Sequence, residues 1–330
     1  MSSGRVLVTG AAGFTGLALA RSLAAAGRPV RGLVRRASSA PELAEAGVEV
    51  ITGDVRDESV VRTALRDVEV VYHLAAVFRR ASVPDSEYRS VHVDATRLLV
   101  EAAAEAGARR VVHCSTVGVH GDVQGDVPAT EDAPFHPMDI YQQTKLEGEW
   151  MARETARRVG MQVTVVRPGP IYGPGDRRLF KLIGGVARRR FRLLGDGRPR
   201  FQMVYVDDLI DGMLLAGDHP EADGRTYILT GTEAPTLAEL VNEIAEVAQV
   251  PPPRLRLPVW PFWLLGAACE AICIPLRIEP PVFRRRVKFF TSNRWFDTSR
   301  ARRELGFTPK VHLREGLVRT LESYRRLGWV

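Results

Sequence analysis

The tightest constraint on this chain is a glycine pattern, Gly10-Ala-Ala-Gly13-Phe-Thr-Gly16, that follows the apolar run Arg5-Val-Leu-Val-Thr9 and opens a helical segment from Thr15 to Ala26. A strand that enters a helix through such a turn has few uses. Gly10 permits the tight turn, Gly13 lets backbone approach a pyrophosphate, and Gly16 allows the helix to lie close to the sheet. The helix N-terminus, with Phe14 and Thr15 in its first turn, then offers amide donors to phosphate oxygens. A purely structural glycine turn would need neither the preceding strand nor the following helix.

The rest of the first half repeats that alternation. Strands are expected at Val30 to Val34, Val48 to Gly53, Val68 to Ala75, Arg110 to Ser115 and Gln162 to Arg167. Between them, helices are expected at Pro41 to Ala46, Glu58 to Leu65, about Ser90 to Ala106, and Tyr141 to Val159. Short apolar runs alternating with helices predict an α/β fold, a Rossmann-type doubly wound parallel sheet covered on both faces. Beyond Pro168 the rhythm loosens into helices at Phe180 to Arg190, from Asp207, Thr236 to Val247, Thr298 to Leu305 and Leu313 to Gly328. Thr236-Leu-Ala-Glu239 has the form of a capping box. The expected division is a dinucleotide-binding part, residues 1–170, joined by segments around 203–230. Residues 171–330 then form mainly a smaller, interleaved substrate-binding subdomain.

The chain of 330 residues is 45% hydrophobic and 26% charged, enough to bury a large core. Its formal charge of +7 favours the approach of anionic ligands, but the arginines are scattered and carry no nucleic-acid recognition motif. Basic runs at Arg188-Arg-Arg190 and Arg284-Arg-Arg-Val-Lys288 read as solvated faces. Three cysteines, Cys114, Cys269 and Cys273, do not make a disulfide framework or a metal set. No apolar leader precedes the first strand, so a cytoplasmic location is expected. The stretch Leu257 to Leu276 is strongly apolar but broken by Pro258, Pro261, Gly266, Glu270 and Pro275. It is expected to pack in the core or close over an apolar substrate rather than to span a bilayer, with contact at a membrane surface as the alternative.

The end of the second strand bears on the cofactor. It places Val34-Arg35-Arg36 with Ser38 and Ser39 where a carboxylate would hold ribose hydroxyls. Arginine beside hydroxyls suits a ribose phosphate, so NADP is expected over NAD. Asp54, at the next strand end, either holds the adenine amino group or serves as a helix cap or turn residue. Tyr141 and Lys145 lie one helical turn apart on one face. An ammonium near a phenol of ordinary pKa about 10 favours the phenolate, which allows proton transfer near neutrality.

These motifs together resemble the extended short-chain dehydrogenase/reductase superfamily, the NAD-dependent epimerase/dehydratase family, over essentially the whole chain. The resemblance is carried by Gly10 to Gly16, Asp54-Val55, His73-Leu74-Ala75-Ala76, Ser115-Thr116 with Gly121, Tyr141 to Lys145, Arg167-Pro168-Gly-Pro-Ile-Tyr-Gly-Pro174 and Tyr205-Val-Asp-Asp-Leu209. It implies a catalytic set of Thr116, Tyr141 and Lys145. It also implies dinucleotide contacts from the glycine turn, Arg35, Asp54, Val55, Leu74, Ala75, Ala76 and Pro168, and a homodimer. Where the family often carries Asn-Val-x-Gly-Thr, this chain has His92-Val-Asp-Ala-Thr96; His92 either takes over the asparagine's proton relay or packs there. Relatives that act only as regulators or scaffolds usually lose the tyrosine or lysine, and this chain keeps both.

For the substrate, resemblance to the 3β-hydroxysteroid dehydrogenase and dihydroflavonol reductase branch favours an apolar ketone or alcohol. That branch is similar in Val30 to Arg35, in the Arg167 to Pro174 segment and in the apolar residues before Glu279-Pro-Pro281. The alternative is a nucleotide-sugar epimerase or dehydratase, in which a pair among Arg200, Arg286 and Arg294 would clamp a diphosphate.

Overall fold

Seven short strands pair in parallel, the central ones apolar on both faces and connected by helices that cover the sheet. They are β1 (Arg5–Thr9), β2 (Val30–Val34), β3 (Glu49–Thr52), β4 (Val68–His73), β5 (Arg110–Cys114), β6 (Gln162–Pro168) and β7 (Thr226–Leu229). Their spatial order is β7-β6-β5-β4-β1-β2-β3, all parallel. The computed structural model describes residues 4–36, 41–78, 83–253, 255–273 and 284–330, and for Arg285 and Arg286 the backbone alone.

Period-two alternation sends the two faces of the sheet into two cores. On one side Val6, Val8, Val70, Tyr72 and Val112 pack under α1 (Phe14–Ala25) and α8 (Val206–Asp218). On the other, Leu7, Val71, Val111 and Val163 pack under α3 (Glu58–Ala64), α5 (Ala95–Glu105) and α6 (Ile140–Val159). A fully buried side chain such as Leu7 or Leu99 contributes about 1.5–3 kcal/mol. The chain reverses strand order between β1 and β4, and ligands of open parallel sheets bind outside the carboxyl ends at such a point.

The remaining helices are α2 (Pro41–Glu45), α4 (Asp85–Arg89), α7 (Phe180–Ala187), α9 (Leu237–Ala248), α10 (Val259–Cys273), α11 (Arg284–Thr291), α12 (Ser299–Leu305) and α13 (Leu313–Arg326). Two differ from sequence expectation. The helix expected from Ser90 is one continuous rod from α4 into α5, with a wide π turn at Ser90–Asp94 that carries His92. The apolar helix α10 is not core: Gly266 is its only buried residue. The capping box forms as expected, with Thr236 Oγ1 accepting from the Glu239 amide and the Glu239 carboxylate accepting from the Thr236 amide.

Gly10 and Gly16 are fixed by space. Gly10 has φ +66°, and a Cβ there would lie 2.9 Å from the Ala75 nitrogen. A Cβ on Gly16 would lie 2.2 Å from the Gly10 carbonyl oxygen, which is backbone and cannot rotate away. Gly16→Ala is expected to push α1 off the sheet and cost about 1–3 kcal/mol, read as a lower urea midpoint. An unchanged midpoint would show that the turn has slack.

Candidate active site

The carboxyl edge of the sheet gathers the groups singled out in the sequence. Thr9, His73 and His113 lie side by side in the register of β1, β4 and β5. Thr9 Oγ1 is 2.8 Å from His73 Nδ1 and accepts from the amides of Leu74 and Ala75 at 3.2 Å each. That ties the loop after β4 against the glycine turn after β1. His73 Nε2 is 3.0 Å from Thr96 Oγ1, whose hydroxyl donates to the His92 carbonyl.

The glycine turn fits a pyrophosphate. Gly13 is the N-cap of α1, no side chain caps that end, and its first turn holds no acidic residue. The Gly13 amide closes the turn on the Gly10 carbonyl at 2.9 Å, and Ala12 and Gly13 are exposed, so the helix N-terminus is open to an anion. Phe14 is half-buried with the Arg178 guanidinium 5.0 Å from its ring, and Thr15 is buried. At the loop after β4, Leu74 and Ala75 are half-buried and Ala76 is exposed.

Helix α6 starts at Asp139, whose carboxylate accepts from the Gln142 amide at 2.9 Å. Tyr141, Lys145 and Glu149 then recur every four residues on one face. Tyr141 is half-buried, its ring edge-on between Phe78 and His92 with centroids at 5.5 and 5.6 Å. Lys145 is 3% exposed and donates from Nζ to the Cys114 carbonyl at 2.6 Å, two residues before Thr116. Burial lowers its pKa from the ordinary 10.5. Thr116 is half-buried; its Oγ1 accepts from the Gly118 amide at 3.0 Å, which leaves its own proton to donate. Pro168 is buried at the end of β6.

Sequence reasoning did not find the ionic group beneath this site. Ser115 turns away from Thr116 and donates to Glu149, which is also held by Arg167 through Nη2 at 2.6 Å and Nε at 3.0 Å. Arg167 Nη1 reaches the Glu131 carbonyl at 2.8 Å and His120 Nε2 at 3.1 Å. The i+4 continuation from Lys145 to Glu149 was the available signal.

His92 is committed on both ring nitrogens. Nε2 accepts from the Val77 amide at 3.0 Å, so Nδ1 carries the proton and faces Thr144 Oγ1 at 2.8 Å. Thr144 Oγ1 in turn donates to the Ile140 carbonyl at 2.7 Å. The imidazole thus pins the loop after β4 to the turn of α6 that holds Tyr141 and Lys145.

At the far end of the cleft, Asp54 does not cap a helix. Its Oδ1 accepts from the backbone amide and Nε of Arg56 at 2.9 Å each, and Oδ2 from Nη2 at 2.7 Å. The Arg56 hydrogen bonds, opposed by burial, lower its carboxyl below the ordinary value; the charge of Arg35 adds to this. Val55 beside it is buried and Arg35 is exposed. Ser38 and Ser39 lie outside the described residues.

A sheet whose strand ends collect a glycine cradle and a Tyr-Lys helix is the framework of the extended short-chain dehydrogenases/reductases, enzymes that work through a nicotinamide dinucleotide. Comparison narrows this further. The profile of the NAD dependent epimerase/dehydratase family matches residues 6–229, and the chain belongs to that family. It is 36% identical over 313 residues to sterol demethylase protein B of Methylococcus capsulatus, covering 92% of this chain and 93% of that protein. It is 29% identical over 297 residues to 3beta-hydroxysteroid-dehydrogenase/decarboxylase isoform 1 of Arabidopsis thaliana, covering 85% of this chain and 67% of that protein. Among solved structures, gox2253 superposes with a TM-score of 0.85 at 29% identity over 99% of each chain. MoeE5 in complex with UDP-glucuronic acid and NAD gives 0.78 at 28% identity, over 98% of this chain and all of that one. An Agrobacterium tumefaciens superfamily member with bound NAD gives 0.76 at 25% identity over 98% of each.

The cofactor expectation is corrected by these relatives. The last two hold NAD, so NAD replaces the NADP expected from Arg35. The physical reason lies in the surroundings of that arginine. Arg35 is exposed at the strand end, where its charge is accommodated by solvent, so its presence does not by itself require a ribose phosphate.

Four buried histidines set the pH dependence of stability. Burial, reinforced by the charge of Lys145, lowers His73 to about 3 and His92 to about 2, and holds His113 well below 6.5. Burial and Arg167 lower His120 to about 4. The unfolded chain takes up these protons below pH 6.5 and the folded one does not. The stability they allow is therefore whole above pH 6.5 and falls as pH drops toward the folded values, by up to about 1.4 kcal/mol per pH unit for each histidine. Urea midpoints should fall steeply between pH 7.5 and 5; a flat profile would refute burial as neutral imidazoles.

Proposed function

We propose that this enzyme moves hydride between NAD and a carbon bearing a hydroxyl or carbonyl oxygen, on an apolar alcohol or ketone of sterol-like kind. The observation that carries the reading is the buried Lys145, bonded to the strand end that presents Thr116 and one turn from the half-buried Tyr141. Tyr141 takes the hydroxyl proton when an alcohol is oxidised and returns it when a ketone is reduced. Thr116 donates its free hydroxyl proton to the substrate oxygen, and Lys145 holds the nicotinamide ribose and favours the phenolate. Gly10, Gly13, Phe14, Thr15 and Gly16 cradle the pyrophosphate, and Leu74, Ala75 and Ala76 flank it. Asp54 and Val55 meet the adenine end, with Arg35 near the ribose, and Pro168 supports the nicotinamide. When bound, NAD supplies the hydride acceptor or donor. In this reading residues 1–170 with the β7 region hold the dinucleotide, residues 171–330 mainly the substrate, and the enzyme is a homodimer.

Support for an apolar substrate comes from the sterol names of the curated relatives and from the arginines of the second half. Arg200 donates to the Ala234 carbonyl at 2.7 Å and stacks 4.5 Å from the Trp295 ring. Arg294 donates to the Phe289 and Ser292 carbonyls and sits between the rings of Phe201 and Phe289. Each guanidinium is thus bonded within the protein, although Arg200 also walls a cavity of about 760 Å³; the side chain of Arg286 lies outside the described residues.

A second reading, a nucleotide-sugar epimerase or dehydratase, has the substrate-bound solved relatives on its side, since MoeE5 binds UDP-glucuronic acid and UDP-glucose. A cavity of about 760 Å³ walled in part by Asp126, Arg198, Asn293 and Trp295 has room and polar groups for such a ligand. Thr116, Tyr141 and Lys145 are not among its walls.

Tyr141→Phe is expected to lower kcat about 10²–10⁴-fold with NAD affinity little changed, by steady-state rates and calorimetry. Rates with a 3-hydroxysteroid against a UDP-sugar then separate the readings: turnover of the UDP-sugar alone would overturn the apolar-substrate reading while leaving the tyrosine's role intact.

A further inference from the structure

Helix α10 carries a single charged residue, Glu270, in Val259–Cys273. At 100° per residue, Val259, Phe262, Gly266, Cys269, Glu270 and Cys273 share one arc and are all buried or half-buried. Trp260, Leu264, Leu265, Ala268, Ala271 and Ile272 lie on the opposite side around the half-buried Pro261, and every one is exposed, Trp260 to 67% and Ile272 to 63%; Trp263, 44% exposed, stands at the edge beside Glu270 with the Arg284 guanidinium 5.8 Å from its ring. A helix at a protein surface normally turns its polar side outward; α10 turns out a second apolar side. Contiguous apolar faces of this kind mark interaction sites.

The charges around the face say what it meets. Glu270 accepts from the Arg284 backbone amide at 2.8 Å and from its Nε at 2.7 Å, so the only acid on the helix is neutralised within the protein. Lys288, one turn beyond Arg284 on α11, is exposed, as is Arg256 just ahead of α10. Exposed cations thus stand ahead of the helix, where Arg256 adjoins the exposed Asp196, and after it on α11, on a chain of formal charge +7. A fifteen-residue helix is about 22 Å long, against the roughly 30 Å of a bilayer's hydrocarbon core. Among the described residues no helix is long and apolar enough to cross a membrane.

We propose that α10 lies flat on an anionic lipid bilayer, with Trp260, Leu264, Leu265 and Ile272 in the boundary between headgroups and acyl chains and with Arg256 and Lys288 against lipid phosphates. A second copy of the chain fits less well. A two-fold contact centred on α10 would set one positively charged chain against another, whereas an anionic surface complements the charge. The inward side of α10 adjoins a binding space: Val259 of α10 and Phe290 of α11 both wall the 760 Å³ cavity. The docking rests on the exposed face and its rim, and stands or falls separately from the substrate reading.

The test is co-sedimentation of the full chain with vesicles of phosphatidylcholine and phosphatidylglycerol, against vesicles of phosphatidylcholine alone. Binding to the anionic vesicles is expected, with a blue shift of tryptophan emission, and it should weaken about tenfold or more on neutral vesicles or in high salt. Trp260→Ser with Leu264→Ser, at exposed positions, should weaken binding at least about tenfold while thermal melting and NAD affinity hold. Lys288→Glu should weaken it on anionic vesicles only. Failure of the wild-type chain to sediment, equal binding to neutral and anionic vesicles, or full binding by the double variant would overturn the proposal. So would sedimentation velocity showing that the double variant splits a dimer without touching vesicle binding, which would assign the face to a second copy.

Discussion

Parallel pairing is the constraint on which everything else in this molecule depends. When all seven strands run the same way, every turn from strand to helix emerges at one edge, and chemistry encoded far apart in the chain arrives together. The register makes this concrete: Thr9 faces His73, and His73 faces His113, so three polar side chains form a buried row just below the edge. Thr9 then uses its one hydroxyl to hold the amides of Leu74 and Ala75 against the glycine turn, at the place where Gly10 has no room for a Cβ. The cleft is narrow because backbone meets backbone there.

The reactive side hangs on the same edge through α6. Lys145 is buried against the β5 terminus, His92 bolts the same turn to the β4 loop through Thr144, and Glu149 anchors the next turn to Arg167 on β6. Three strands thereby fix two successive turns of one helix. A buried ion pair such as Glu149 with Arg167 contributes little net stability, but leaving either partner alone costs several kcal/mol, so it acts as a register pin. His92 answers the question its sequence position raised: with Nε2 taken by the Val77 amide, the imidazole is a bridge of fixed tautomer.

Much of this was legible in the chain because it is local. β1 and β2 fall at the expected residues, since an apolar run ended by glycine or arginine admits few other readings. The Tyr141 to Lys145 spacing and the Thr236 capping box are likewise properties of one helical turn. What escaped is non-local. The π turn at Ser90–Asp94 has the same composition as a helix, and only packing against α6 distinguishes it: His92 O would lie 2.4 Å from a Cβ on Gly148. Arg35 suggested NADP from its residue type alone, and its place in the fold is an exposed strand end where an arginine can simply face solvent. The apolar run of α10 reports a preference for leaving water, and says nothing of whether protein or something else provides the refuge.

The first half of the chain thus fixes what can happen at one carbon, and the second half decides which molecule brings it. The central claim is that NAD lies across the carboxyl edge with its nicotinamide end toward α6. A crystal structure of the complex with NAD tests it most directly. The account predicts the pyrophosphate on the amides of the Gly10 to Gly16 turn and the nicotinamide ribose at hydrogen-bond distance from Lys145 Nζ. A dinucleotide bound with its adenine end at Lys145, or away from the glycine turn, would contradict it.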